Sequence, residues 1–191
     1  YLKIRDKFPN SILLESSDYH GNENSFSYIC CNPIASITVQ NGEIIKSFPD
    51  GNVEQRKIDL HTDVPKIIHD FSQKFDTENQ KFKFINNGLF GYINYDAVQY
   101  FEDVNISKKP EDVDIPDIYY AVYQNIIAIN HFKNEAYIFA HTYDSDPNIE
   151  EINQLIENKN FASYTFENGL DETSNLTDEE FKEHVELAKK H

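Results

Sequence analysis

The chain has 191 residues, with 17 Lys and Arg against 33 Asp and Glu, a formal net charge of −16. That length holds one sizeable core or two small ones. The acid excess, with no cluster of Lys and Arg to neutralise phosphates, excludes a nucleic-acid binder and disfavours anionic membrane surfaces, and no run approaches the roughly 18 apolar residues of a membrane span.

The first 50 residues read as antiparallel β. Residues 12–16 and 26–31 have the length and composition of short strands. Residues 34–39 and 43–48 flank Asn41-Gly42, the dipeptide best suited to a tight hairpin because both central positions need positive φ. A second turn follows at Pro49-Asp50-Gly51-Asn52. The adjacent Cys30 and Cys31 point to opposite faces of their strand, which disfavours a disulfide between them. With no C-x-x-C, a reducing cytoplasm fits, and the glycosylation-like triplets at Asn105 and Asn175 are chance matches.

The first helix opens near Thr62-Asp63, with Pro65 where its missing N–H costs nothing. Val64, Ile67, Ile68, Phe71 and Phe75 then form one apolar stripe. Residues 76–83 are a polar connection. Residues 88–95 read as an aromatic strand that passes into a short helix over 96–101, with Asp96 as its N-cap. Residues 102–116 are acidic and aperiodic, hence an exposed loop.

Residues 118–130 and 135–143 are the longest strand candidates, joined at Phe132-Lys133-Asn134. The first is apolar on both faces, the mark of a central strand. Asp146-Pro147 opens a third helix carrying Ile149, Ile152, Leu155 and Ile156. Residues 159–176 are irregular, with a short strand candidate at 162–166. Thr177-Asp178-Glu179-Glu180 is a capping-box pattern and opens a helix with Phe181, Val185 and Ala188 on one side. The chain starts at Tyr1 without Met and closes inside that helix, so an excised fragment is expected.

Little in the sequence announces catalysis. The histidines (His20, His61, His69, His131, His141, His184, His191) show no helical metal spacing. There is no G-x-S-x-G elbow, and Gly88 and Gly91 lack the remainder of a phosphate loop. Gly91 suits a strand that closely approaches its neighbour, and Tyr95-Asp96 a strand-to-helix corner; alternatively Tyr92 or Tyr95 lines a pocket. Leu14-Glu15-Ser16-Ser17 ends a strand with oxygen acceptors, either as a plain polar exit or as the edge of a site for a zwitterion.

Four segments taken together say more: Leu13-Leu14-Glu15-Ser16, Ser25-Phe26-Ser27-Tyr28-Ile29, Asn32-Pro33-Ile34-Ala35, and Gly88-Leu89-Phe90-Gly91-Tyr92-Ile93-Asn94-Tyr95-Asp96. In that order and spacing they resemble the N-terminal region of the anthranilate synthase component I family. The resemblance implies an α+β fold, mainly antiparallel sheet with a few packed helices. It implies a regulatory and structural domain over 1–170 and the start of a chorismate-binding catalytic domain over 171–191. Leu14, Glu15 and Ser16 match the allosteric L-tryptophan pocket, and Ser25 the serine that opens the next strand. Asn24 stands where members commonly carry Lys or Arg, which removes a positive charge. Gly88, Gly91, Tyr92, Tyr95 and Asp96 match a structural motif.

The same resemblance places the Mg²⁺ carboxylates and the chorismate contacts beyond these residues, with a Gly-Asp-x-x-Gln segment soon after His191. The chain alone is then expected to be inactive, and to self-associate through exposed strand edges and apolar surface or to be partly disordered over 102–116 and 159–176. It also implies a glutamine amidotransferase subunit as partner. The same region of aminodeoxychorismate synthase component I is the near alternative. A stand-alone small-molecule binding domain is the more distant one.

Overall fold

Two long apolar segments pair with each other, and the other strands of the sheet are arranged along them. The computed structural model describes residues 1–15, 25–77, 82–104, 106, 114–143, 147, 149–159, 165, 169 and 174–190. In chain order the elements are α1 (Leu2–Arg5), β1 (Ile12–Leu14), β2 (Phe26–Gln40), β3 (Glu43–Ser47), β4 (Val53–Lys57), α2 (Val64–Ser72), β5 (Phe90–Ile93), a 3-10 helix (Tyr95–Tyr100), β6 (Ile118–Asn130), β7 (Glu135–Ala140), α3 (Ile149–Glu157) and α4 (Asp178–Lys190). Two compact units result, Tyr1–Phe161 and Ala162–His191.

In the first unit all strands join one antiparallel sheet. β2 and β6 pair from Phe26↔Asn130 to Val39↔Ile118, with a register shift between Pro33 and Ala35. Each long strand serves two neighbours in turn. Along β2, β1 pairs with residues 28–30 and the β3–β4 hairpin with 36–40. Along β6, β5 pairs with 118–121 and β7 with 125–130. The outer edges are therefore notched at residues 31–35 of β2 and 122–124 of β6, both beside the bulge.

β6 is rich in Ile, Val, Ala and Tyr and is buried on both faces over most of its length, as expected of a central strand. α2 packs Val64 and Phe71 against Ala35, Ile37, Val39, Ile44 and Ile118. Its start is fixed by Asp63, whose Oδ1 accepts from the Lys66 N–H at 2.9 Å. α1 and α3 bring Ile4 and Ile152 onto Ile29, Cys31 and Ile127. A third cluster joins Cys30, Phe90, Ala121, Tyr123 and Ile126. Rings of Phe82 and Phe84 pack on Tyr137, Phe139 and Phe26 at centroid distances from 4.8 to 5.9 Å, clamping residues 82–84 to the sheet.

The second unit contains α4. The capping box forms as expected: Glu180 Oε2 accepts from the Thr177 N–H at 2.8 Å, and Thr177 Oγ1 from the Glu180 N–H at 3.3 Å.

The Asn41-Gly42 turn has positive φ at both residues, 52° and 74°. Elsewhere the sequence reading needs correction. Residues 26–31 and 34–39 are halves of one strand, because Asn32 at φ 59° and the following bulge absorb a proline that a regular ladder would reject. β4 was not expected: its Val-Glu-Gln-Arg-Lys sequence is wholly exposed and reads as a charged edge, which resists pairing with other chains. α1 was also missed, a single turn within a region read as β. The 3-10 helix is capped by Asn94, whose side chain accepts from the Tyr95 N–H at 2.7 Å, and not by Asp96. β7 ends at Ala140, short of 143. β1 ends at Leu14, and the remainder of its expected span at Ser16 lies outside the described residues, as does most of 162–166.

Gly91 shows how closely β5 lies on β6. A Cβ there would overlap the Tyr119 carbonyl oxygen and sit 2.8 Å from Tyr120 Cα. Gly91→Ala is expected to destabilise the protein by about 2 kcal/mol or more, measured by urea unfolding. A loss under roughly 0.5 kcal/mol would contradict this packing.

Candidate functional site

β1 places Leu14 opposite Tyr28 and packs it, half-buried, on the cluster of Cys30 and Phe90. Glu15 follows immediately and is exposed. Ser16 and Asn24 lie outside the described residues. Ser25 lies inside the fold at 5% exposure, and its carbonyl accepts from the His131 N–H at 3.0 Å. Just inside β2, buried Ser27 has its Oγ 2.6 Å from His131 Nε2. Leu14 and Ser25 are thus both anchored, on either side of the 16–24 segment, with the Glu15 carboxylate at its start.

The aromatic motif divides between structural and site roles. Gly91 is a packing glycine. Gly88 has φ 116°, a conformation that favours glycine. Asp96 accepts through its backbone carbonyl from Gln99 Nε2 at 2.8 Å. Tyr95 is 83% exposed. Tyr92 lies beside Tyr119, ring centroids 6.1 Å apart, and lines a concavity of about 520 Å³ with Ser11, Ser36, Ser47 and Pro33. Of the two tyrosines, Tyr92 borders a concavity; Tyr95 does not line this one.

This first concavity fills the β2 notch. The second, of about 670 Å³, fills the β6 notch and is lined by Lys74, Asp76, Asn87, Gly88, His141 and others. Its wall is tied down: Asn87 Nδ2 donates to Thr77 Oγ1 at 2.6 Å, and His141 Nε2 lies 2.9 Å from the Asn86 carbonyl oxygen, an N–H donating to it. Bulge residue Ile34 lines both concavities. Sequence reasoning missed Ser11, Ser36, Ser47, Tyr119 and His141, because their meeting depends on strand register. The available signal was alternation: Ser36 and Thr38 interrupt an apolar strand at every second residue.

Burial, not function, sets the strongest electrostatic perturbations. Desolvation, helped by its neighbour Cys31, pushes the Cys30 thiol up to about 12, and desolvation raises Cys31 to about 11. Both cysteines are free and buried, so they are protonated at neutral pH and poor nucleophiles. Tyr100 is raised mainly by burial and then by Asp117, a buried carboxylate whose Oδ2 accepts from the Tyr100 hydroxyl at 2.7 Å. That bond holds the 3-10 helix to the start of β6. Among the described residues, no three His, Cys, Asp or Glu side chains group closely enough to hold a metal, and no helix is long and apolar enough to cross a membrane.

Comparison with known proteins assigns the family. The sequence model for chorismate binding enzymes matches residues 10–191. The chain therefore belongs to the chorismate binding enzyme family. Anthranilate synthase component 1 of Lactococcus lactis is 27% identical over 202 residues, covering 99% of this chain and 41% of that protein. Aminodeoxychorismate synthase component 1 of Bacillus subtilis is 24% identical, over 78% of this chain and 30% of that protein. A crystal structure of anthranilate synthase component I from Streptococcus pneumoniae superposes with a TM-score of 0.58 at 21% identity, over 97% of this chain and 41% of that one, a likeness of fold. The chain spans no more than about two fifths of the length of these relatives.

The raised thiols have a consequence for stability. A folded pKa above the unfolded value stabilises fully below the unfolded pKa, and that contribution is lost as pH rises through the folded one. From the ordinary value of 9.0 upward, the unfolded chain releases both protons while the folded chain holds them until about 11 and 12. At one pH unit above the unfolded value each thiol should cost about 1.4 kcal/mol of stability. Unfolding free energies measured from pH 8 to 10.5 should fall, and the double variant Cys30→Ala, Cys31→Ala should fall less steeply. Equal slopes would contradict the assignment.

Proposed function

We propose that this chain is the N-terminal part of an anthranilate synthase component I, and that it supplies the feedback site for L-tryptophan. In the whole protein, chorismate and ammonia, the latter released from glutamine by an amidotransferase partner, would give anthranilate and pyruvate. The observation that carries this reading is the family match over residues 10–191, together with a strand that ends at Leu14 and is followed in sequence by Glu15 and Ser16. The exposed Glu15 carboxylate can accept from an ammonium group, and the neighbouring apolar cluster of Leu14, Tyr28 and Phe90 is the kind of surface an indole needs. Asn24 leaves any ligand carboxylate without the cation that relatives commonly place there.

In the whole protein Mg²⁺ would assist the reaction, and this chain is read as supplying none of its ligands. The metal and the reacting carbons would be held by residues outside it, and the isolated chain would be inactive. The Bacillus subtilis relative favours a second reading, the same region of an aminodeoxychorismate synthase component I.

The full-length protein, supplied with chorismate, ammonia and Mg²⁺, is expected to release pyruvate together with anthranilate. Aminodeoxychorismate as the product would select the second reading. In that same full-length enzyme, Glu15→Gln should weaken tryptophan inhibition roughly ten- to hundredfold, as expected for losing a charged hydrogen bond. Ser16→Phe should weaken it as well, with chorismate turnover retained in both. Inhibition unchanged by either substitution would remove the strand end from the site.

A further inference from the structure

The notch on the outer edge of β2 carries chemistry unlike the rest of the molecule. In a chain with a net charge of −16, none of the described residues lining this 520 Å³ concavity is charged. Register explains its make-up. Ser36 pairs directly with Ser47 on β3 and with Ala121 on β6, while Tyr119, two residues before Ala121, pairs with Tyr92 on β5. Directly paired residues share a face, and so do alternate residues of one strand. The two serine hydroxyls and the two tyrosine rings therefore share the face opposite the α2 cluster, which takes Ala35, Ile37 and Ile118.

The remaining wall, Asn10 and Ser11, is held in place. The Tyr123 hydroxyl donates to the Asn10 carbonyl at 3.2 Å and bonds the Tyr119 hydroxyl, and the Tyr1 hydroxyl donates to the Ser11 carbonyl at 3.0 Å. Ser11 Oγ is buried yet has no hydrogen-bond partner among the described residues. A buried hydroxyl with no partner is unfavourable, and here it lies in a rigid wall beside a concavity it helps to line.

We propose that this notch binds a small, uncharged ring compound bearing a hydrogen-bonding group. The ring lies against Tyr92 and Tyr119, and the polar group meets Ser11 Oγ and the Ser36–Ser47 pair. Aromatic faces favour a flat partner. The lack of a charge among the described lining residues disfavours an ion, which would lose its hydration with no counter-charge from them in return. The site is separate from the strand-end Glu15 and is read here by direct binding, so its outcome leaves the tryptophan reading untouched.

Phenol is the probe, and benzoate its charged comparator, titrated against the protein by calorimetry and saturation-transfer NMR. Phenol should bind saturably in the low-millimolar range, a strength consistent with so few atoms, and benzoate at least about fivefold more weakly. Tyr92→Ala and Ser11→Ala should each weaken phenol binding, the first by roughly tenfold, whereas Tyr95→Ala should leave it unchanged. If Tyr92→Ala loses its folded near-UV signal, Tyr92→Leu, which keeps apolar volume without the aromatic ring, replaces it. Non-saturating phenol, benzoate bound as tightly, or indifference to the Tyr92 substitution would overturn the proposal.

Discussion

The antiparallel pairing of β2 with β6 is the interaction on which the rest of the first unit depends. Its ladder runs from Phe26↔Asn130 to Val39↔Ile118, and all three apolar clusters draw residues from both strands. One surplus residue near Ile34 breaks the register. Upstream of it Cys30 and Cys31 face Ile126 and Asn125; downstream Ala35 and Ile37 face Val122 and Tyr120. A bulge sharpens local twist and bends its strand, so one ribbon can offer its two halves to different helices. α2 covers the downstream half, and α1 and α3 the upstream half.

The same irregularity accounts for the concavities. Short neighbours pair only with the regular portions of the long strands, leaving gaps opposite the bulge on both outer edges. Ile34 borders both gaps. One gap is neutral and rich in hydroxyls. The other carries Lys74, Asp76 and His141. A single backbone device thereby produces two recesses of different chemistry, both distinct from the end of β1 where Glu15 sits.

Much of this was legible in the sequence where the cause was local. Asn41-Gly42 fixed its hairpin because few other pairs accept two positive φ values. Asp63 and Pro65 marked the start of α2, and Thr177 and Glu180 that of α4. The both-face apolar run of β6 was read at its full extent. Failures occurred where a distant partner overrides local preference. Asn32-Pro33 looks like a break, yet β6 holds the strand together across it. Val53-Glu54-Gln55-Arg56-Lys57 has no core-facing pattern and becomes a strand only because β3 supplies a ladder. Asn94 takes the cap because the helix begins at Tyr95, one residue before Asp96. Of the candidate site, the strand end and Tyr92 were visible. The grouping of Ser11, Ser36, Ser47 and Tyr119 was not, since it exists only through the pairing of β2, β3, β5 and β6.

Native-state hydrogen exchange most directly tests whether the bulged ribbon is the one unit that holds the sheet. If it is, amides of Ile29, Cys31, Ile37, Val39, Tyr120 and Ile127 should exchange only through global unfolding, with a single free energy on both sides of Ile34. Two distinct opening free energies, one for residues 26–31 with 125–130 and another for 35–40 with 118–122, would show that the halves stand independently and would contradict the account.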